Sequence, residues 1–183
     1  MINNMQKRPA CRRAGFTLIE TLFAILILTV AIAGPMTIAA RGLDAALIAK
    51  DQTTAFYLAQ DAIENIRHMR DSACLDAGVS PCPTGIWLSA LKNTATGATC
   101  VNALCTLSSI SGVVGSCDAS GVCPLLLYDS TPTGDTVTPS IYRRSIEVIA
   151  GDSEAMASTT VSWQDVGGVT RSVSVSEEIF DWQ

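Results

Sequence analysis

The chain has 183 residues, a formal net charge of −5 and 48% apolar side chains. That length allows one modest domain plus an anchor. The acidic balance, with no basic run beyond the first fifteen residues, excludes nucleic acid as a partner of this subunit alone.

Those fifteen residues carry Lys7, Arg8, Arg12 and Arg13 and no acid. Residues 1–15 read as a short basic leader, too charged for a core. Residues 16–40 read as a membrane-spanning helix: Thr21 to Ala40 holds no charged residue, and about 20 apolar residues suffice to cross a bilayer. Basic residues precede this run and none follows until Arg41, which predicts a single pass with the N-terminus in the cytoplasm and the rest outside. Glu20 stands near its start. An acid at mid-membrane costs roughly 2.5–3.5 kcal/mol on insertion scales, so such a residue reads as functional. Gly34-Pro35 interrupts the run. Proline lacks an N–H and clashes with the carbonyl four residues back, so a kink or local melting is expected there.

Residues 41–71 continue as an amphipathic helix, with Leu43, Leu47, Ala55, Leu58, Ala59, Ala62, Ile63, Ile66 and Met69 on one stripe. Unbroken from Phe16 to Asp71, the helix would be about 84 Å long. Residues 72–140 are rich in Gly, Ser, Thr, Pro and Cys and read as an irregular, disulfide-stapled loop region. A short helix or strand is expected at Ile86–Leu91 and a strand at Pro124–Asp129. Residues 141–183 show period two. Tyr142, Arg144, Ile146 and Val148 form one face of a strand, and Ala157, Thr159, Val161 and Trp163 one face of the next. Asp165-Val166-Gly167-Gly168 is a turn, followed by Val169, Arg171, Val173 and Val175. The predicted fold class is α+β: a long N-terminal helix, half membrane-spanning and half amphipathic, packed on an antiparallel β-meander.

Cys11 lies in the leader. Cys74, Cys82, Cys100, Cys105, Cys117 and Cys123 lie beyond the membrane segment, and an even number in an exported domain favours disulfides. Six cysteines allow fifteen connectivities; sequence neighbours (Cys74–Cys82, Cys100–Cys105, Cys117–Cys123) are the expected pairs. Zinc is the alternative, but no C-x-x-C pair exists, so no metal site is expected. His68, the single histidine, reads as a solvated helix residue, and Asp61, Glu64 and Asp71 as a solvated face. No Ser/His/Asp set, phosphate loop or metal helix motif occurs, so no catalytic residue, cofactor or enzymatic activity is expected.

Gly15-Phe16-Thr17-Leu18-Ile19-Glu20, after a basic leader and before an apolar helix, resembles the prepilin signal of type IV pilins and type II secretion pseudopilins. The stretch Ala55–Arg67 and the ending with Val161-Ser162-Trp163 resemble minor pilins of the pilus-modification (V-type) subgroup. The resemblance implies a pilin-like fold. It also implies cleavage between Gly15 and Phe16 by the prepilin peptidase, with N-methylation of Phe16. Glu20 would then neutralise the new N-terminus of a neighbouring subunit or of its own chain. The implied partners are other pilin subunits, the prepilin peptidase, an inner-membrane assembly platform and membrane lipid.

The expected function is that of a structural minor pilin in the inner membrane, incorporated into or priming a type IV pilus. A minor pseudopilin of a type II secretion system is the alternative within the same class. From another class comes a secreted or anchored disulfide-rich binding or adhesin domain, because Ala31-Ile32-Ala33 also fits an ordinary secretory cleavage site that would leave Gly34 first.

Overall fold

The computed structural model describes residues 15–78, 83–129, 137–151 and 154–180. In chain order the elements are α1 (Leu18–Ala77), α2 (Thr84–Ala90), β1 (Cys105–Leu107), β2 (Val114–Ser116), β3 (Leu125–Asp129), β4 (Val137–Ala150), β5 (Glu154–Gln164) and β6 (Thr170–Phe180). This is an α+β, pilin-like layout: a long N-terminal helix followed by a six-stranded antiparallel sheet. The chain divides into two compact units, one ending at Ala46 and the other spanning Leu47–Gln183.

Of the kink or local melting expected at Gly34-Pro35, the melting does not occur: α1 stays helical through both residues. A single proline removes one rung of the ladder, and helix on both sides can hold the turn. The helix also runs to Ala77 rather than ending at Asp71. Gly78 is the stop: at φ +65° its N–H reaches the carbonyls of Cys74 and Leu75, both at 3.1 Å, and satisfies carbonyls the helix end would orphan.

In the second unit α1 lays small residues on the sheet. Ala55, Ala59 and Ala62 are fully buried, which lets the two layers approach closely, and Ile63, Ile66 and Cys74 fill beyond them. The expected stripe holds from Ala55 onward, whereas Leu43 and Leu47 are exposed. Two apolar clusters result. One gathers Ile63, Ile66, Trp87, Leu91, Ile146, Val148 and Ile179; the other gathers Ala55, Ala59, Leu126, Tyr142, Val161 and Trp163.

The strand order is β2-β1-β4-β5-β6, with β3 beside the first half of β4. The inward faces of β4 and β5 are the predicted ones, with Tyr142, Arg144, Ile146 and Val148 opposite Ala157, Thr159, Val161 and Trp163 in alternation. The stretch read as loop carries more structure than expected. Besides α2 and β3, close to where a short helix or strand and a strand were expected, it contains β1 and β2, and β4 already begins at Val137 rather than at 141. Strands of three residues, as β1 and β2 are, show no periodicity; their pairing with each other and with β4 holds them. Cys100 is bonded to Cys105 and Cys117 to Cys123. Cys74 is also disulfide-bonded, while Cys82 lies outside the described residues.

The β5–β6 turn is built on Asp165. Its Oδ1 accepts from the Gly167 and Val169 amides at 3.0 and 2.9 Å, its Oδ2 accepts from Arg171 Nε at 2.8 Å, and Gly168 supplies φ +75°. The Val169 amide, then Arg171, hold the Asp165 carboxyl below its ordinary 3.8. A depressed carboxyl stabilises the fold above its unfolded value, and that contribution is lost as pH falls through the folded value. We therefore expect the hydrogen-exchange protection factor of the Val169 amide to drop once the pH passes below 3.8. Protection unchanged through the acid range would contradict the arrangement.

Candidate functional site

The N-terminal end of α1 starts from a threonine. Thr17 accepts the Glu20 and Thr21 amides through its carbonyl at 3.1 and 3.2 Å, and its hydroxyl lies 3.4 Å from the Glu20 amide. Thr17-Leu18-Ile19-Glu20 is thus the T-x-x-E pattern of a helix start, a signal present in the sequence but not read there. Glu20 sits in the first turn, where the helix dipole favours an anion. Its side chain is exposed and has no ion-pair partner among the described residues.

Gly15 precedes this cap. A Cβ built there would meet nothing within 4 Å, so the chain's own packing does not demand glycine at that position. Phe16 is 81% exposed. From Leu18 onward the apolar residues face outward all round, among them Ile19, Leu22, Phe23, Leu26, Val30 and Ile32. An apolar surface this continuous requires lipid or other helices around it. The helix is long and apolar enough to cross a membrane.

Three hydroxyls inside this span are already satisfied. The hydroxyls of Thr21, Thr29 and Thr37 donate to the carbonyls of Leu18, Leu26 and Gly34 at 2.8, 2.9 and 2.7 Å. Glu20 is the one carboxylate in the span.

Sequence reasoning missed a second polar feature, in the C-terminal unit. Arg144 is fully buried, where the alternation placed it among apolar neighbours. Its guanidinium donates to the Asp61 carboxylate at 2.8 Å and to the carbonyls of Leu58 and Leu107, both at 2.9 Å. Asp61 is therefore more than a solvated helix residue: it ties α1 to β4 between the two apolar clusters. A charge at an inward strand position was the available signal; its partner was not legible.

His68 has Ser72 Oγ 3.5 Å from Nδ1. Among the described residues no group of three or more His, Cys, Asp or Glu is placed to hold a metal ion. An open apolar depression of about 510 Å³ is lined by Leu58, Leu126, Tyr128, Asp129 and Tyr142.

No curated protein and no solved structure matches the chain. Residues 11–34 match the family model described as the prokaryotic N-terminal methylation motif, a signal of structural rather than enzymatic proteins. That motif implies contact with other pilin subunits and with the prepilin peptidase, and the exposed apolar helix behind it indicates membrane anchoring. The N-terminal segment, with Gly15, Phe16 and Glu20 at the head of an uncovered apolar helix, is thus similar to that of type IV pilins and pseudopilins.

Proposed function

We propose that the chain is a minor pilin, held in the inner membrane with its C-terminal unit outside and then incorporated into, or priming, a type IV pilus. The observation that carries this reading is the methylation motif over residues 11–34, fused to an apolar span with a single acid five residues into the mature chain. The peptidase cuts between Gly15 and Phe16, and the absence of any packing demand for glycine at 15 fits a requirement imposed from outside the chain. Cutting creates an amine at Phe16, which is methylated. Glu20 supplies the opposite charge. In a water-free filament interior the two attract strongly, offsetting their desolvation and fixing the axial register of adjacent helices.

The likeness of Ala55–Arg67 to V-type minor pilins favours the pilus over a secretion machine. Mass analysis of protein extracted from membranes tests the processing: the N-terminus should be N-methylated Phe16. An intact Gly15–Phe16 bond, or a chain beginning at Gly34, would overturn it. Deletion of the gene should abolish pili or twitching; loss of exoprotein release with normal pili would assign the chain to type II secretion instead.

A further inference from the structure

Strand β6 closes one side of the sheet among the described residues. Among the described residues it pairs with β5 alone, in unbroken register from Glu154↔Phe180 to Gln164↔Thr170. Its 11 residues are about twice the common strand length. Natural edges are blunted by proline, charged side chains, bulges or a cover; Thr170–Phe180 contains no proline, lysine or glycine, its ladder with β5 has no bulge, and its charges are Arg171, Glu177 and Glu178.

The sequence along this edge reads nearly the same in both directions about Ser174. Val173 and Val175 flank it, then Ser172 and Ser176, then Arg171 and Glu177, of opposite charge. We propose that this edge pairs with the same edge of a second copy, antiparallel about a two-fold axis at Ser174, joining the two sheets into one. A two-fold axis normal to a sheet keeps each residue on its own face, so paired residues must share parity. The register centred on Ser174 meets that condition throughout: Val173 opposes Val175, Ser172 opposes Ser176, and Arg171 opposes Glu177.

Each contact suits its position. Val173 and Val175 are half-buried on the α1 side, packed at the margin of the core, and cross-strand valine pairs would complete their burial. Ser172, Ser174 and Ser176 are exposed on the outer face. Arg171 is already bonded to Asp165, and Glu177 to Arg67. Bringing Arg171 of one copy to Glu177 of the other therefore makes a row of alternating charges, Asp165, Arg171, Glu177 and Arg67, formed twice by the symmetry.

The axis also reverses the part of α1 that lies on the sheet. The proposal stands on the sheet edge and goes beyond the filament reading without depending on it.

The test uses the full chain in detergent, in a Cys11→Ser background, under mild oxidation. Ser174→Cys should give a covalent dimer, since directly opposed Cβ atoms lie about 5 Å apart. Ser172→Cys alone should give none, because its two copies would lie about 13 Å apart along the strands. A mixture of Ser172→Cys and Ser176→Cys chains should restore the cross-link. Ser174→Lys, at an exposed site, sets two ammonium groups face to face and should weaken sedimentation-measured dimerisation about tenfold or more. The proposal fails if Ser174→Cys gives no dimer above background, if Ser172→Cys alone cross-links as well, or if Ser174→Lys leaves association unchanged.

Discussion

A Glu20→Gln chain is expected to be cut, methylated and anchored normally, yet to drop out of the assembled filament on the order of a hundredfold. The size follows from burial. Removing one member of a buried ion pair typically costs about 3–5 kcal/mol, because the remaining charge is left uncompensated, and each 1.4 kcal/mol is a factor of about ten. Glutamine is the informative replacement. Both Glu and Gln serve at the third helical position after a threonine cap, so the start of α1 at Thr17 survives the change. A loss of incorporation then reports the missing charge rather than a frayed helix. The readout is the ratio of the chain in sheared filaments to that in membranes, by immunoblot. Undiminished incorporation would rule out charge pairing and leave helix capping as the whole role of Glu20.

Arg144→Ala is expected to destabilise the C-terminal unit by about 3–5 kcal/mol, a large fraction of the stability of a domain this size. Its three acceptors do not suffer equally. Asp61 keeps a side chain 52% exposed and regains water once the guanidinium is gone. The Leu107 carbonyl, bonded to Arg144 in a buried setting, has no such recourse, and a void remains between the two apolar clusters. Asp61→Ala acts from the other side and leaves a fully buried cation with neutral acceptors only. Because the two residues act as a pair, the double variant should cost clearly less than the sum of the singles. Urea unfolding of the detergent-solubilised chain, followed by tryptophan fluorescence, measures all three. A cost below about 1 kcal/mol for Arg144→Ala would show that the tie between α1 and β4 contributes little.

Much of the fold was legible because its longest elements repeat a pattern many times. The α1 stripe from Ala55 to Ile66, the alternation from Tyr142 to Val148, and the Asp165–Gly168 turn each follow from local chemistry that a single sequence displays. The end of α1 was misplaced because Asp71-Ser72 looks like a polar boundary, while Cys74, which keeps the last turn packed, announces itself only through its burial. The first residues of β4 were missed because Val137-Thr138-Pro139 shows no apolar alternation; pairing with β3, where Pro139 lies opposite Leu127, keeps them extended. At the N-terminal end, Gly15, Phe16 and Glu20 were read by motif, and residues 11–34 match the methylation-motif model. The Thr17 cap beside them was overlooked because a four-residue pattern is inconspicuous inside a longer signal.

The threonines of α1 have one more consequence. Each of Thr21, Thr29 and Thr37 returns its proton to a carbonyl one turn back, so none of them asks anything of its surroundings. A rod whose hydroxyls are self-contained presents the same chemistry to acyl chains as to protein side chains. It can be withdrawn from one medium and seated in the other without breaking a hydrogen bond, leaving shape and the lone carboxylate to choose its neighbours.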